Sequence, residues 1–265
     1  MQATKQFSSK WAIILGGSSG FGFATVEKLA RHGMNIAVLY RETAAAERVL
    51  KQELSKIAEA NEVIISAHNI NALDTDARNT FIKQFAAGKK HCVKLLLHSI
   101  ARGNLKPLLK NGDKEALTQE DIQLTTYAMA TSLLDWTKEL LAAELFHADG
   151  RIIGLTSEGT DKYWEGYAAV SIAKSSLKSL TAYMAVELAG FGLKTNLIQA
   201  GITATPSLKR IPDSEKLIQH AIARNPSGRI TKPEDVANVI YLLCTDEAAW
   251  INGTVIHVDG GEHCR

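Results

Sequence analysis

A short apolar run followed at once by glycines constrains this chain more than any other stretch. Residues 11–15 read Trp-Ala-Ile-Ile-Leu, a continuous apolar run typical of a strand that is buried on both faces. Four glycines fall within the next seven residues, and residues 23–32 then carry apolar side chains at helical spacing until Gly33. A strand, a glycine turn and a helix in this order predict the opening of a dinucleotide-binding fold.

The glycine turn is expected to hold the pyrophosphate of the dinucleotide. Glycines let the backbone approach a phosphate closely, and the first N–H groups of the helix offer donors and a favourable dipole. A tight turn without a ligand is the alternative, but the flanking strand and helix are those that the binding mechanism requires. The cofactor contacts predicted in this turn are Gly16, Ser18, Ser19, Gly20, Phe21 and Gly22.

Apolar runs and helical stretches alternate along the whole chain. This alternation, without a repeat of roughly 20 to 50 residues, predicts an α/β fold with a doubly wound parallel sheet of about seven strands. We expect a single Rossmann-type domain over residues 1–265, with a substrate-binding lid at about 203–226. Further strands are predicted at 35–40, 63–67, 93–98, 151–156, 194–199 and 254–258, and longer helices at 44–58, 74–87, 118–146, 167–189 and 233–244.

Composition excludes several classes of partner. A formal net charge of +2 provides no global field for nucleic acid or a membrane surface, and no apolar stretch approaches the length of a membrane span. Three widely spaced cysteines favour free thiols in a reducing compartment, so we expect a cytoplasmic protein. His257, His263 and Cys264 lie near the C-terminus, but their unpatterned spacing predicts no metal site.

The ends of the second, third and fourth strands bear on the cofactor. Tyr40 and Arg41 close the second strand, where an acidic residue would bind a ribose 2′-OH and an arginine suits a 2′-phosphate. We therefore expect NADPH, with NADH less favoured; a merely solvated Arg41 is the alternative. Asn69 and Ile70 follow the third strand, where they would meet the adenine, and His98 closes the fourth strand as a structural histidine. The cofactor contacts predicted after that strand are Ser99, Ile100 and Ala101.

A tyrosine and a lysine share one face of the helix predicted at 167–189. Seven residues separate Tyr167 from Lys174, and at about 100° per residue the second side chain returns to within about 20° of the first. An ammonium near a phenol lowers the cost of negative charge on oxygen, so the pair could stabilise an oxyanion. The alternative is a packed aromatic residue and a solvated charge.

Taken together, these motifs resemble the short-chain dehydrogenase/reductase family over nearly the whole chain. Most members carry the catalytic tyrosine four residues before the lysine, a position that Val170 holds here. The family's enoyl-acyl-carrier-protein reductases carry it seven residues before the lysine, where Tyr167 stands. Tyr163 also matches a tyrosine of the branch that keeps a compact glycine loop and tends to use NADPH. The other matching segments are Ser157, Ala200-Gly201, Gly228-Arg229-Ile230, residues 258–261, His98-Ser99-Ile100-Ala101, residues 184–188 and residues 203–226.

The resemblance implies an NADPH-dependent reductase that acts on the trans-2 double bond of an enoyl thioester in fatty-acid synthesis. Tyr167 would hydrogen-bond the thioester oxygen as that oxygen gains charge, and Lys174 would hold the nicotinamide ribose. Tyr163 and Ser157 are further catalytic candidates, the role of Ser157 being open because Val170 has replaced its usual tyrosine partner. The residues implied to hold the nicotinamide carboxamide are Gly201, Ile202 and Thr203.

The resemblance also implies a carrier protein and a homotetrameric assembly. The substrate would be carried on acyl carrier protein, with Lys209 and Arg210 beside the lid as candidate contacts, and the assembly would be a homotetramer.

One alternative is a short-chain reductase of another carbonyl or alcohol substrate, such as a 3-oxoacyl thioester, which uses Tyr163 or Tyr167. The other is a catalytically silent nucleotide-binding sensor, since Val170 cannot donate a proton.

Overall fold

One parallel sheet organises the part of the chain that the structure describes. The structure is a computed structural model, and it describes residues 5–110, 112–206, 208, 211 and 214–265. The strands of this sheet are β1 (Trp11–Leu15), β2 (Asn35–Tyr40), β3 (Ile65–Asn69), β4 (Val93–His98), β5 (Phe146–Thr156), β6 (Lys194–Ala200) and β7 (Val255–Val258). All pairs are parallel, in the order β3-β2-β1-β4-β5-β6-β7. The predicted doubly wound sheet is confirmed.

Helices cover both faces of the sheet. Those described are α1 (Gly20–Arg31), α2 (Ala44–Asn61), α3 (Thr75–Phe85), α4 (Gln119–Thr126), α5 (Ser132–Ala142), α6 (Ala168–Glu187), α7 (Ser214–Arg224) and α8 (Pro233–Cys244). Apolar side chains of α1, α2 and α8 pack on one face, and those of α3, α5 and α6 pack on the other. The result is a three-layer arrangement with a core on each side of the sheet.

β1 shows why the central strands are continuous apolar runs. Trp11, Ile13 and Leu15 belong to the core under α3, α5 and α6, whereas Ala12 and Ile14 belong to the core under α1 and α8. Successive side chains of a strand point to opposite faces, and here both faces are covered.

The strand order fixes where a ligand can bind. From β1 the chain moves outward to β2 and β3, then returns to place β4 on the other side of β1. The loops that leave β1 and β4 therefore diverge at the carboxyl end of the sheet and open a crevice between them.

The single long helix expected at 118–146 is wrong. α4 and α5 are separated by a π-helical turn, Tyr127–Thr131, and the chain has already entered β5 at Phe146, which pairs with Val93. The Thr125 and Ser132 hydroxyls donate to backbone carbonyls four residues earlier, which bends a helix. Apolar periodicity cannot reveal either effect.

The third strand begins two residues later than its apolar run. Ile64 is exposed, and its N–H donates to the Asn35 side chain instead of to a strand partner. Regular pairing starts with Ile36 opposite Ile65, so β3 extends to Asn69. Pairing to β2, and not hydrophobicity alone, sets the limits of this edge strand.

A buried ion cluster supports the end of the sheet opposite the crevice. The Asp149 carboxylate accepts hydrogen bonds from Lys94, Arg151 and Lys194 at 2.5 to 2.9 Å. Lys94 and Arg151 are almost completely buried. Burial acts to raise the pKa of Asp149, but the hydrogen bonds from the three cations outweigh it and hold that pKa far below its ordinary value.

The segment expected to form a lid is described in part. Helix α7 lies within it, whereas the candidate carrier-protein contacts Lys209 and Arg210 fall outside the described residues. No helix in the described ranges combines the length and apolarity that crossing a membrane requires. The three cysteines are free thiols.

Candidate active site and cofactor cleft

A cleft of about 730 Å³ opens at the carboxyl ends of the strands. Loops that follow β1, β2, β4, β5 and β6 line it, together with the start of α6. Three predicted site residues do not line it: Gly22, Asn69 and Tyr163. Those that do are Gly16, Ser18, Ser19, Gly20, Phe21, Tyr40, Arg41, Ile70, Ser99, Ile100, Ala101, Ser157, Tyr167, Lys174, Gly201, Ile202 and Thr203.

The glycine loop has the form of an anion cradle. Gly16 has a φ of +88°, and a Cβ there would collide with the carbonyl of Ser99, so both the backbone angle and the close approach require glycine. Ser19 precedes α1 without a capping hydrogen bond, and no acidic side chain stands in the first turn. The first N–H groups of α1 are therefore suited to phosphate oxygens. Gly22 lies behind the loop, where a Cβ would strike the Gly16 carbonyl; its role is to let α1 pack closely.

The expected adenosine end contains an acidic residue that the sequence analysis did not use. Ser18 donates to Glu42 at 2.9 Å, and Arg41 beside it is exposed. Asn69 binds both the N–H and the C=O of Glu42 at 3.0 Å, so it shapes this loop from outside the cleft. Tyr40 points into the core, where burial and the nearby Glu47 carboxylate raise its pKa to about 12.

Tyr167 and Ser157 meet at the other end of the cleft. The phenol donates a hydrogen bond to Ser157 Oγ at 3.2 Å, and the ring lies over Gly159. Burial raises the pKa of Tyr167, and the bond to Ser157 opposes that rise only in part. The phenol is therefore protonated at neutral pH and can donate. Val170 is packed in the core on the same helix and lines the cleft without any polar atom.

Lys174 lines the same cleft as this phenol. It is 5% exposed, and burial alone lowers its pKa to about 7. No described side chain forms an ion pair or hydrogen bond with its ammonium. His98, which contacts Ser132 at 2.9 Å, is fully buried; burial first and the Lys174 charge second lower its pKa to about 3. His98 is therefore neutral, in keeping with a structural role.

The structure does not bring Tyr163 to the cleft. Its side chain is 88% exposed, whereas the next residue, Trp164, lines the cleft. The Trp164 ring packs at 5.4 Å from the Tyr167 ring, centroid to centroid. The family match at position 163 thus falls on the residue next to the one that contacts Tyr167.

Three charged residues in the cleft were missed by the sequence analysis. Arg224, at the end of α7, donates to Glu158 at 2.5 Å and to Glu262 at 2.8 Å. Burial acts to raise the pKa of Glu158, but the hydrogen bonds and charges of Arg224 and Lys162 together outweigh it and lower that pKa. These residues lie 38 and 66 positions apart along the chain, so no local pattern could have joined them.

A second cluster of polar side chains lies at the C-terminal turn. His257, Asp259 and His263 come together with their ligand atoms within 4.8 Å. The Asp259 carboxylate already accepts N–H bonds from Gly261 and from the backbone and ring of His263. The two imidazoles are stacked at 3.9 Å. These contacts hold the C-terminal turn together.

Family membership follows from the match along the chain. Residues 16–263 match the family model described as Enoyl-(Acyl carrier protein) reductase. The chain belongs to the short-chain dehydrogenase/reductase family, in its enoyl-acyl-carrier-protein reductase branch. It is therefore an NAD(P)-dependent reductase.

Relatives of both reductase types are similar to this chain. The enoyl-acyl-carrier-protein reductase (NADH) FabI of Aquifex aeolicus is 28% identical over 256 residues, which cover 96% of this chain and 91% of that protein. A 3-oxoacyl-acyl-carrier-protein reductase of Synechocystis is 31% identical over 253 residues, with coverage of 94% and 95%. Their names leave the choice between double-bond and carbonyl reduction open.

Solved structures agree on the fold. The crystal structure of the Aquifex aeolicus enoyl reductase has a TM-score of 0.82 at 24% identity and covers 98% of each chain. A short-chain dehydrogenase of Burkholderia cenocepacia in complex with NADP has a TM-score of 0.80 at 23% identity, with coverage of 97% and 99%. At these identities the likeness concerns the fold alone.

Proposed function

We propose that this protein reduces the trans-2 double bond of an enoyl thioester, with NADPH as the hydride donor. The observation that carries the proposal is the pair of side chains at 167 and 170. Tyr167 is a protonated phenol hydrogen-bonded to Ser157 in the cleft, whereas Val170, one turn nearer Lys174, has no proton to give. The acid that carbonyl reduction uses in most of the family is therefore missing, and the phenol stands one turn away.

The chain's own residues fit the chemistry of double-bond reduction. A bound nicotinamide cofactor supplies a hydride to the β-carbon of the substrate, and negative charge then develops on the thioester oxygen. The Tyr167 hydroxyl donates a hydrogen bond to that oxygen, a contribution worth roughly 3 kcal/mol for a preorganised donor. The Lys174 ammonium strengthens the donor and offers N–H groups to the cofactor ribose. A shift of one helical turn, roughly 5 Å, matches charge on an oxygen that is three bonds from the carbon receiving the hydride, instead of one bond as in a carbonyl substrate.

The cofactor end of the cleft fits a dinucleotide phosphate. The Gly16 loop and the start of α1 provide backbone donors for the pyrophosphate, and Arg41 provides a cation for a 2′-phosphate. Glu42 opposes that phosphate, but its carboxylate is already engaged by Ser18, and Arg41 is free to move. We therefore assign NADPH as the preferred cofactor.

Paired substrate assays test the reaction. The purified protein is expected to oxidise NADPH with crotonyl-CoA at least about tenfold faster than with acetoacetyl-CoA, each assay also being run with NADH. The opposite substrate preference would overturn the proposal and establish carbonyl reduction, which the Ser157–Tyr167 hydrogen bond and the 31% identical 3-oxoacyl reductase favour as the second candidate.

Two tyrosine variants test the assigned donor. Tyr167→Phe is expected to lower kcat with crotonyl-CoA by roughly 10²- to 10³-fold, the loss typical of an oxyanion donor. Tyr163→Phe is the matched control, since it removes a phenol that is exposed outside the cleft, and it should keep the wild-type rate. Equal losses in the two variants would contradict the assignment.

Assembly as a homotetramer and delivery of the substrate by acyl carrier protein also belong to this proposal. Exposed apolar side chains on α6 and after it, Tyr183, Val186 and Phe191, support self-association, as does Trp250, which is 99% exposed. Analytical ultracentrifugation is expected to give four chains per particle, and a monomer at micromolar concentration would contradict it. Acceptance of crotonyl-CoA but not of the acyl-carrier thioester would argue against the carrier.

A further inference from the structure

A buried carboxylate faces the cleft beside the loop that follows β6. Glu262 is only 2% exposed, yet it lines the cleft. Its Oε2 accepts a hydrogen bond from the backbone N–H of Ile202 at 3.2 Å, and its Oε1 accepts one from Arg224 at 2.8 Å. One acceptor and one backbone donor therefore lie side by side at the cleft surface.

Contacts connect this pair to the catalytic end of the cleft. Arg224 bridges Glu262 and Glu158, and Glu158 directly follows Ser157, the hydroxyl that accepts from Tyr167. The reacting end of any substrate must lie against Tyr167. Ile202 and Glu262 are thus linked to the loop that carries Ser157, and the proposed orientation of the cofactor places its reacting ring beside them.

The backbone next to this pair is built for the carboxylate. A Cβ at Gly201 would lie 2.7 Å from Glu262 Oε2 and 2.5 Å from Thr231 Oγ1. Any side chain at 201 would push the carboxylate away from the loop. Glycine is thus required for the approach of Glu262, independently of any contact with a ligand.

We propose that Glu262 accepts a hydrogen bond from the amino group of the nicotinamide carboxamide. A primary amide offers one C=O acceptor and two N–H donors. The Ile202 N–H can meet the C=O, and the carboxylate, which only accepts, can meet an N–H. In the structure the two groups bond to each other at the long end of the usual range, and an amide between them would replace one hydrogen bond by two.

Arg224 fixes the position of the acceptor. Its guanidinium binds Glu262 through Oε1 and leaves Oε2 directed at Ile202. Glu158 holds the guanidinium from the other side, so Arg224 does not need to move toward the ligand. A carboxylate held in this way forms a stronger hydrogen bond than a neutral acceptor would. Glu262 is thus a positioning residue, acting on the orientation of the nicotinamide ring.

The inference rests on the proposed use of a nicotinamide cofactor, and its test measures binding instead of turnover. Isothermal titration calorimetry compares NADP⁺ with its 3-acetylpyridine analogue, in which a methyl group replaces the amide amino group. The wild-type protein is expected to bind NADP⁺ about tenfold more tightly than the analogue, because the analogue cannot form the hydrogen bond to the charged acceptor. Glu262→Ala should weaken NADP⁺ about tenfold and leave the analogue nearly unchanged.

Two further variants separate this role from a structural one. Glu158→Gln keeps an acceptor oxygen for Arg224 and leaves both Arg224 and Glu262 in place, so the ratio of the two dissociation constants should stay near the wild-type value. Glu262→Gln keeps the shape of the side chain and removes its charge, so the ratio should fall partway. Glu262→Gln also provides the test if the Glu262→Ala variant does not fold.

The outcomes distinguish the role assigned to Glu262 from the proposed reductase function. A wild-type ratio near one, or an equal loss of both ligands in Glu262→Ala, would overturn the assignment of Glu262 while leaving the proposed reductase intact. If the wild-type protein bound neither dinucleotide, the proposed function itself would fail, and this inference would fail with it.

Discussion

A single methyl group at Gly159 is expected to displace the catalytic phenol. Gly159 is the middle residue of a one-turn 3₁₀ helix, Glu158–Thr160, and its φ is not in the left-handed region, so alanine fits the backbone. The new Cβ would lie 2.5 Å from Cε1 and 2.7 Å from Cδ1 of the Tyr167 ring. Ordinary contact begins at 3.4 Å, so the ring must retreat by about 0.9 Å.

This displacement of the phenol should slow the reaction. A misplacement of about 1 Å at a reacting group costs roughly 10²-fold in rate, so Gly159→Ala should lower kcat with crotonyl-CoA by about 100-fold. The affinity for NADPH should stay unchanged because Gly159 does not line the cleft. Steady-state kinetics and calorimetric titration measure the two quantities on one preparation.

A second glycine provides the matched control. Gly190 is the middle residue of another one-turn 3₁₀ helix, Ala189–Phe191, its φ also lies outside the left-handed region, and nothing lies within 4 Å of a Cβ built there. Gly190→Ala should keep kcat and raise the free energy of unfolding by about 0.4–1 kcal/mol. A wild-type kcat in Gly159→Ala would refute the reasoning, as would an added loss when Gly159→Ala is combined with Tyr167→Phe, since the ring would then have no donor left to misplace.

Three charged residues, Asp149, Lys174 and Arg41, give further predictions. Asp149→Asn leaves the buried Lys94 and Arg151 without their carboxylate, so the free energy of unfolding should fall by about 3 kcal/mol and Tm by about 6–12 °C in calorimetry. Because the pKa of Asp149 is held below its ordinary value, wild-type stability should also fall as the pH drops below about 4, and the variant should lack that part of the loss. The pKa of about 7 at Lys174 means that the free enzyme loses this cation as the pH rises, so kcat/KM should decline above about pH 7; a flat profile to about pH 9 would contradict it. Arg41→Ala should weaken NADPH about tenfold in titrations while leaving NADH unchanged, and equal effects on both cofactors would remove Arg41 from phosphate recognition.

The sequence predicted those features that local physics determines. The run at 11–15 must be buried on both faces because every residue in it is apolar, and a glycine turn at the end of such a strand leaves few alternatives to a nucleotide loop. Helical geometry predicts that Tyr167 and Lys174 share one face. The glycine loop, the sheet and the presence of Tyr167 and Lys174 in one cleft could all be predicted for this reason.

The remaining parts of the site depend on tertiary contacts. The helix expected at 118–146 is interrupted because a hydroxyl at Ser132 bonds to its own backbone and Phe146 joins a strand, neither of which periodicity registers. Trp164 takes the place expected for Tyr163, a choice between neighbouring residues that depends on how the loop packs against Tyr167. Glu262 meets Ile202 across 60 positions of sequence, a contact that only the assembled sheet creates.

The three-way ion contact at Arg224 limits how this chain can be recombined with its relatives. One guanidinium holds a carboxylate from the catalytic loop and another from the C-terminal turn, so the end of α7 is matched to two distant segments. A chimaera that received a relative's segment 203–226 without an arginine at this position would leave Glu262 without its cation and Glu158 paired with Lys162 alone. Transplanting this segment therefore requires exchanging residues 158, 224 and 262 as one set, and the segment cannot be treated as an independent module.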